Sequence, residues 1–286
     1  MRTHPYCLYC AFRQAVKASS IATSDSARRL GAVLLSLLEI AKFSRTMDEP
    51  PAKLGTKVHE IVKLVTENPD PYEKVKEKSN ELAREVARSI EVNGLMDAIE
   101  LSIAGNVIDY VSLSVNTELK RRIFDAMSQG LFIDERNKLI DKLERINQNG
   151  EIIYLADNAG EIVFDEILID FIKEEFDLRV ILVVRGGPLV NDATLKDVEE
   201  IGMISKVDEV ITTGKAMSGV LLDEVPSDLV KRIWKSDFII SKGQGNFESI
   251  EPLFGRGKVA LLLRAKCSPV ARELGVPLGS NVVKIV

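Results

Sequence analysis

The sequence predicts an α/β fold, with a helical N-terminal domain over residues 1–148 and a doubly wound, mostly parallel Rossmann-like sheet over residues 149–286. Three observations carry this. Before Gly150 nearly every segment repeats its apolar residues at helical spacing, after it short β-rich runs alternate with helical ones, and the change falls at Gly150 itself.

In the first part, apolar positions recur at helical spacing over residues 27–41, 58–65, 75–90, 95–115 and 131–146, and each run predicts a helix. Breakers separate them at Pro50-Pro51, at Asn68-Pro69-Asp70-Pro71 and at Gly130. Beyond Gly150, strands are predicted at 151–156, 179–184, 207–212, 238–241, 258–263 and 282–285. Helices lie between them near 162–175, 194–201, 228–235 and 269–274. Alternating strands and helices imply right-handed crossovers and a mostly parallel sheet covered on both faces.

Composition narrows the function classes. With 45% hydrophobic and 28% charged residues, the 286-residue chain reads as an ordinary globular protein able to bury a core. The apolar runs 180–184 and 259–263 are too short to span a bilayer and read as buried strands, so no membrane partner is expected. No apolar stretch followed by a cleavage site marks a secretory signal, and a cytoplasmic location is expected. The net charge is −5, with basic residues scattered among acidic ones, which argues against nucleic acid and favours a small molecule.

In open parallel sheets ligands bind beyond the carboxyl ends of the strands, so the residues after each strand carry the chemistry. Asp157, Asn158 and Glu161 follow the first; Arg185, Asn191 and Asp192 the second; Gly214 the third; Lys242, Gly243 and Asn246 the fourth; Arg264 and Lys266 the fifth. Capping and turn formation explain any one such loop, but they do not require cations after three strands and carboxylates after two. Asp157, Asn158 and Asp192 are oxygen donors of the kind hard divalent cations take. The competing role for Asp192 is the N-cap of the next helix. Lys242 in Lys-Gly-Gln-Gly-Asn, opening a helix, has the make-up of a phosphate cradle; Glu248 stands where a dinucleotide fingerprint needs its third glycine.

Cys7 and Cys10 form a single Cys-x-x-Cys, so one chain cannot build a closed four-thiolate zinc site. With Cys267 and His4 they are a candidate second metal or redox site. The plain alternative is two small buried residues on an N-terminal helix.

These motifs together resemble the damage-control phosphatases, first catalogued as domain of unknown function 89, and in particular their prokaryotic branch with an N-terminal Cys-x-x-Cys. The resemblance spans almost the whole chain. It rests on Cys7 and Cys10, Gly105-Asn106 with Asp109, Asp157-Asn158-Ala159-Gly160-Glu161 with Asp165, Asn191-Asp192, Lys242-Gly243 with Asn246, and Leu263-Arg264-Ala265-Lys266-Cys267. It implies a divalent metal (Mn, Co, Ni or Mg) held by Asp157, Asn158 and Asp192, with a phosphate contact from Lys242. It also implies hydrolysis of phosphate monoesters such as sugar phosphates or phosphopantetheine compounds.

Asp157, Asp192 and Lys242 are accordingly expected in catalysis. Asn106, Asp109, Glu161, Arg185, Gly214, Gly243, Asn246, Arg264 and Lys266 are expected around the substrate, with interdomain hydrogen bonding an alternative for Asn106 and Asp109. An aspartyl-phosphate mechanism is disfavoured because Ala159 occupies the second position of its Asp-x-Asp motif. A noncatalytic metal- and phosphate-binding sensor and a methyltransferase using S-adenosylmethionine remain as rivals, the latter lacking the glycine spacing expected in the first loop.

Overall fold

The computed structural model describes residues 1–45, 47–107 and 116–286, with Asn116 and Thr117 described by backbone alone. Six helices come first: α1 (Pro5–Ala22), α2 (Ser26–Phe43), α3 (Pro51–Thr66), α4 (Glu73–Ala87), α5 (Leu95–Gly105) and α6 (Asn116–Ser128). Then follow β1 (Leu131–Asp134), α7 (Arg136–Glu144), β2 (Glu151–Leu155), α8 (Glu161–Glu175), β3 (Arg179–Val184) and α9 (Leu195–Ile201). The chain ends with β4 (Glu209–Thr212), α10 (Ser227–Lys235), β5 (Phe238–Lys242), α11 (Gly243–Ser249), β6 (Val259–Arg264), α12 (Ser268–Leu274) and β7 (Asn281–Ile285).

Local chemistry sets many of these boundaries. The Asp25 carboxylate accepts from the N–H groups of Ala27 and Arg28 and starts α2. Thr194 and Asp197 form a reciprocal capping box at the start of α9. Pro5 and Pro269 sit in the first turns of α1 and α12, where a missing N–H costs nothing.

The strands form one sheet in the order β1-β7-β6-β5-β2-β3-β4. The pairs among β2 to β6 are parallel, β7 runs antiparallel to β6, and β1 is parallel to β7. The order from β4 to β7 is doubly wound, and the chain changes direction between β2 and β5. Ile152, Tyr154, Leu182 and Leu262 pack on one face with Ile99 of α5 and Phe164 and Leu168 of α8. Ile153, Leu155, Ile181 and Leu261 pack on the other with Leu229 of α10, Phe247 of α11 and Val270 of α12. Each such side chain contributes roughly 1.5–3 kcal/mol of burial, and burial on both faces is why these strands read as unbroken apolar runs. Helices α1 to α3 pack together around Ala11, Phe43, Leu54 and Val58.

Two expectations change. Residues 131–146 do not form one helix: Gly130 breaks the chain at φ +67°, Leu131–Asp134 pairs with β7, and α7 begins only at Arg136. The four residues of β1 alternate half-buried and exposed, a pattern too short to distinguish from a helix start. The helix expected over 95–115 ends at Gly105, with Asn106 capping it; residues 108–115, and Asp109 with them, lie outside the described residues. Among the described residues no helix is long and apolar enough to cross a membrane.

Candidate active site

After β2 the chain enters α8 on one face of the sheet, and after β5 it enters α11 on the other, so the loops at these two carboxyl ends part. A cavity of about 250 Å³ opens there. Asp157, Asn158, Asp192, Asn106 and Lys266 line it at the sheet edge, and α1, α3 and α11 supply walls that include Gln14, His59 and Glu248.

Backbone pairing brings the acids together. Ala159 N–H donates to Asn191 O at 2.8 Å, Ala193 N–H to Asp157 O at 2.8 Å, and Arg185 N–H to Ala193 O at 2.9 Å. Asn158 and Asp192 thereby face each other across a short antiparallel bridge. Gly243, at φ +71°, makes room for the Asp157 side chain, since a Cβ there would overlap the carboxylate. Gly105 allows the close approach of α5, because a Cβ would lie 2.7 Å from the Phe164 ring.

The side chains are tied into one network. Asn106 Nδ2 donates to Asp157 Oδ2 at 3.2 Å and to Glu161 Oε2 at 2.6 Å. Asn158 Nδ2 donates to the same two oxygens at 2.6 and 3.0 Å. Arg185, buried, donates from Nε to Asp192 Oδ2 at 2.9 Å, and its Nη2 lies 3.8 Å from Asp157 Oδ1. Burial raises Asp157 to about 7; the charges of Glu161 and Asp192 add to this, against Arg185 and Lys266. Burial also raises Asp192, with Arg185 opposing it. For Glu161 burial acts upward too, but Lys242, Lys266 and the hydrogen bonds from Lys242 and Asn158 hold it below the ordinary carboxylate range.

This set suits a divalent cation. Asp157, Asn158 and Asp192 offer oxygen donors, both aspartates hold their protons above the usual range, and Asn106 Oδ1 is buried with no hydrogen-bond partner. Among the described residues no three His, Cys, Asp or Glu side chains are grouped to hold a metal by themselves. A cation here therefore depends on the Asn158 amide and on water or substrate oxygens, which is ordinary for Mg²⁺-like ions.

The structure places other expected residues differently. Lys242 does not face the cavity. Its ammonium is fully buried and donates to Ser102 O at 2.9 Å, Glu161 Oε1 at 2.8 Å and Asp165 Oδ1 at 2.5 Å, so its three donors are used and none is left for phosphate. Burial alone would lower it, but Asp165 and Glu161 outweigh that and keep it charged. Asn246 Nδ2 anchors the crevice by donating to Leu155 O, Ala156 O and Lys242 O. Gly214 forms the turn after β4, packed against Pro226 and away from the cavity. Arg264 donates to Gln129 Oε1 and Asn281 Oδ1 and lines a neighbouring cleft, which shares Lys266 with the cavity.

Cys7, Cys10 and Cys267 are free thiols on the cavity wall. All three border the cavity, as expected of the candidate second metal or redox site, but among the described residues they are not grouped to hold a metal by themselves. Burial raises Cys7 and pushes Cys267 up to about 12, so Cys267 is a thiol of low reactivity at neutral pH. Sequence reasoning gave no role to Ser102, Asp165 or Glu248. Asp165 had a readable signal, standing four residues after Glu161 on one face of α8. Glu248, raised to about 8 by burial, and His59, lowered to about 4 by burial and held at 3.1 Å from Gln14 Oε1, had none.

Residues 3–282 match the model of the damage-control phosphatase ARMT1-like domain. The chain belongs to the damage-control phosphatase family. It is 35% identical to a damage-control phosphatase of Pyrococcus horikoshii, over 99% of this chain and 97% of that one. It is 34% identical to a damage-control phosphatase of Archaeoglobus fulgidus over the full length of both. The crystal structure of a family protein from P. horikoshii superposes with a TM-score of 0.91 at 34% identity, covering 100% of this chain and 99% of that one. The family places the chain among metal-dependent phosphatases, with an α/β fold of N-terminal helices and a seven-stranded, mostly parallel mixed sheet.

Proposed function

We propose that this family member hydrolyses phosphate monoesters of small metabolites, using a divalent cation (Mn²⁺, Co²⁺, Ni²⁺ or Mg²⁺) held by Asp157, Asn158 and Asp192. One juxtaposition carries the reading: that oxygen-donor set shares a cavity with Lys266, whose charge acts on Asp157 and Glu161 while its exposed ammonium forms no ion pair or hydrogen bond among the described residues. Held there, the ion would supply charge neutralisation for the phosphoryl oxygens and would acidify a water beside it. Lys266 takes a phosphoryl oxygen, in place of Lys242. Arg185 orients Asp192, while Asn106 and Asn158 steady Asp157 against Glu161. The walls from α1 and α3 limit water around the ester, which strengthens each of these contacts.

The cavity of about 250 Å³ accommodates a phosphoryl group with a compact leaving group such as a sugar. A longer one, of the phosphopantetheine kind, would extend into the adjoining cleft of about 650 Å³ lined by Tyr9, Phe12 and Arg13, which shares Asn158 and Lys266. The test is hydrolysis of a generic aryl phosphate, then of a panel of phosphorylated metabolites, by protein stripped with chelator and reloaded with each metal. Activity should vanish on stripping and return on reloading. Full activity in protein shown by elemental analysis to be metal-free refutes the metal's role; no hydrolysis with any metal favours a binding sensor.

A further inference from the structure

Helix α2 carries two apolar stripes and has a partner for only one. Ala32, Ser36, Ile40 and Phe43 form its buried side, packed against α1 and α3. On the opposite side Leu30, Leu34, Leu37 and Ala41 recur at spacings of four, three and four residues, with Leu38 beside them. Those leucines are 60%, 51%, 40% and 67% exposed, and among the described residues no element besides α1 and α3 packs extensively on α2. A helix apolar all round is a buried helix, and alternating steps of four and three are the spacing of a coiled-coil seam.

We infer that α2 is a dimerisation helix, its outer leucine stripe covered by the same stripe of a second copy of this chain. The stripe contains no charged residue, so a two-fold axis can bring it against itself without like-charge repulsion. The area fits as well. Leu30, Leu34, Leu35, Leu37 and Leu38, with Leu64 of α3 (79% exposed), present roughly 600 Å² of apolar surface, most of the ~800 Å² per partner that a stable interface buries. That area stands at the upper end of the largest apolar patches on monomers, about 300–600 Å², which are often functional.

Light scattering coupled to size exclusion, over a concentration series, should give twice the 31.7 kDa chain mass. Leu34→Glu/Leu38→Glu should give the monomer mass with an unchanged far-UV spectrum. Should that variant fail to fold, Leu34→Ala/Leu38→Ala keeps helix propensity and should raise the dissociation constant at least tenfold. A wild-type monomer at every concentration overturns the inference, whether or not it sediments with lipid vesicles. A dimer unaffected by either double substitution does so too, since another surface would then hold it.

Discussion

Replacing Lys242 by Met should damage stability far more than chemistry. The substitution keeps most of the apolar stem and removes an ammonium that is fully buried between Glu161, Asp165 and the Ser102 carbonyl. Deleting one partner of a buried ion network leaves an uncompensated charge and costs about 3–5 kcal/mol. In a chain of this size each kcal/mol moves the melting temperature by about 2–4 °C, so a loss on the order of 10 °C is expected. The loss should depend on pH. Without the ammonium, Glu161 loses the charge that holds it low and Asp165, already raised to about 6 by burial, rises further, so the folded variant binds extra protons and its deficit grows as pH rises past about 4. Melting curves at pH 5.5 and pH 8 measure this, and adding Asp165→Asn should recover part of the loss by removing one stranded charge. A variant that melts within about 2 °C of wild type while kcat/KM falls a hundredfold would refute the assignment and return Lys242 to the phosphoryl group.

Lys266→Met should behave oppositely: an exposed, unpaired side chain is lost, so melting should stay within about 1 °C, whereas kcat/KM should fall by about two orders of magnitude, near 3 kcal/mol. Unchanged kcat/KM would remove Lys266 from the site. The metal-free protein should lose stability as pH rises from the unfolded aspartate value, near 4, to about 7, because folded Asp157 and Asp192 retain protons that the unfolded chain releases. A cation competes with those protons, so the gain in melting temperature on adding Mn²⁺ should be larger at pH 8 than at pH 5. Equal gains at both pH values would show that the ion binds elsewhere.

The legible parts of the fold were those whose residues answer to one constraint. Strands β2, β3, β5 and β6 lie within a residue or two of the expected runs, because burial on both faces leaves only apolar side chains between polar ends. Strand β1 answers to two: it borders only β7, and the half-buried Leu131 and Ile133 alternate with exposed residues over just four positions. That Asp157, Asn158 and Asp192 meet was legible for a topological reason, since they follow β2 and β3, which are neighbours in the sheet and border the crevice at the switch point. The direction of a strand-end lysine is not fixed by topology. Lys242 turns under the sheet edge because α8 presents Glu161 and Asp165 one turn apart, and that depends on how α5 and α8 pack.

The same turn bears on the cation proposed for the cavity. Around Asp157 four buried carboxylates, those of Asp157, Glu161, Asp165 and Asp192, meet two buried cations, Arg185 and Lys242. The excess is two negative charges. Lys242 lies against Glu161 and Asp165, and Arg185 is shared between Asp192 and Asp157; burial first, and then the neighbouring carboxylates, raise Asp157 and Asp192 at the cavity and Asp165 beneath it. Protons can relieve the excess in acid. Near neutral pH the proposed divalent ion would relieve it more completely, since it would carry the missing charge, and Lys266 at the cavity edge would be placed for the anion that such an ion attracts.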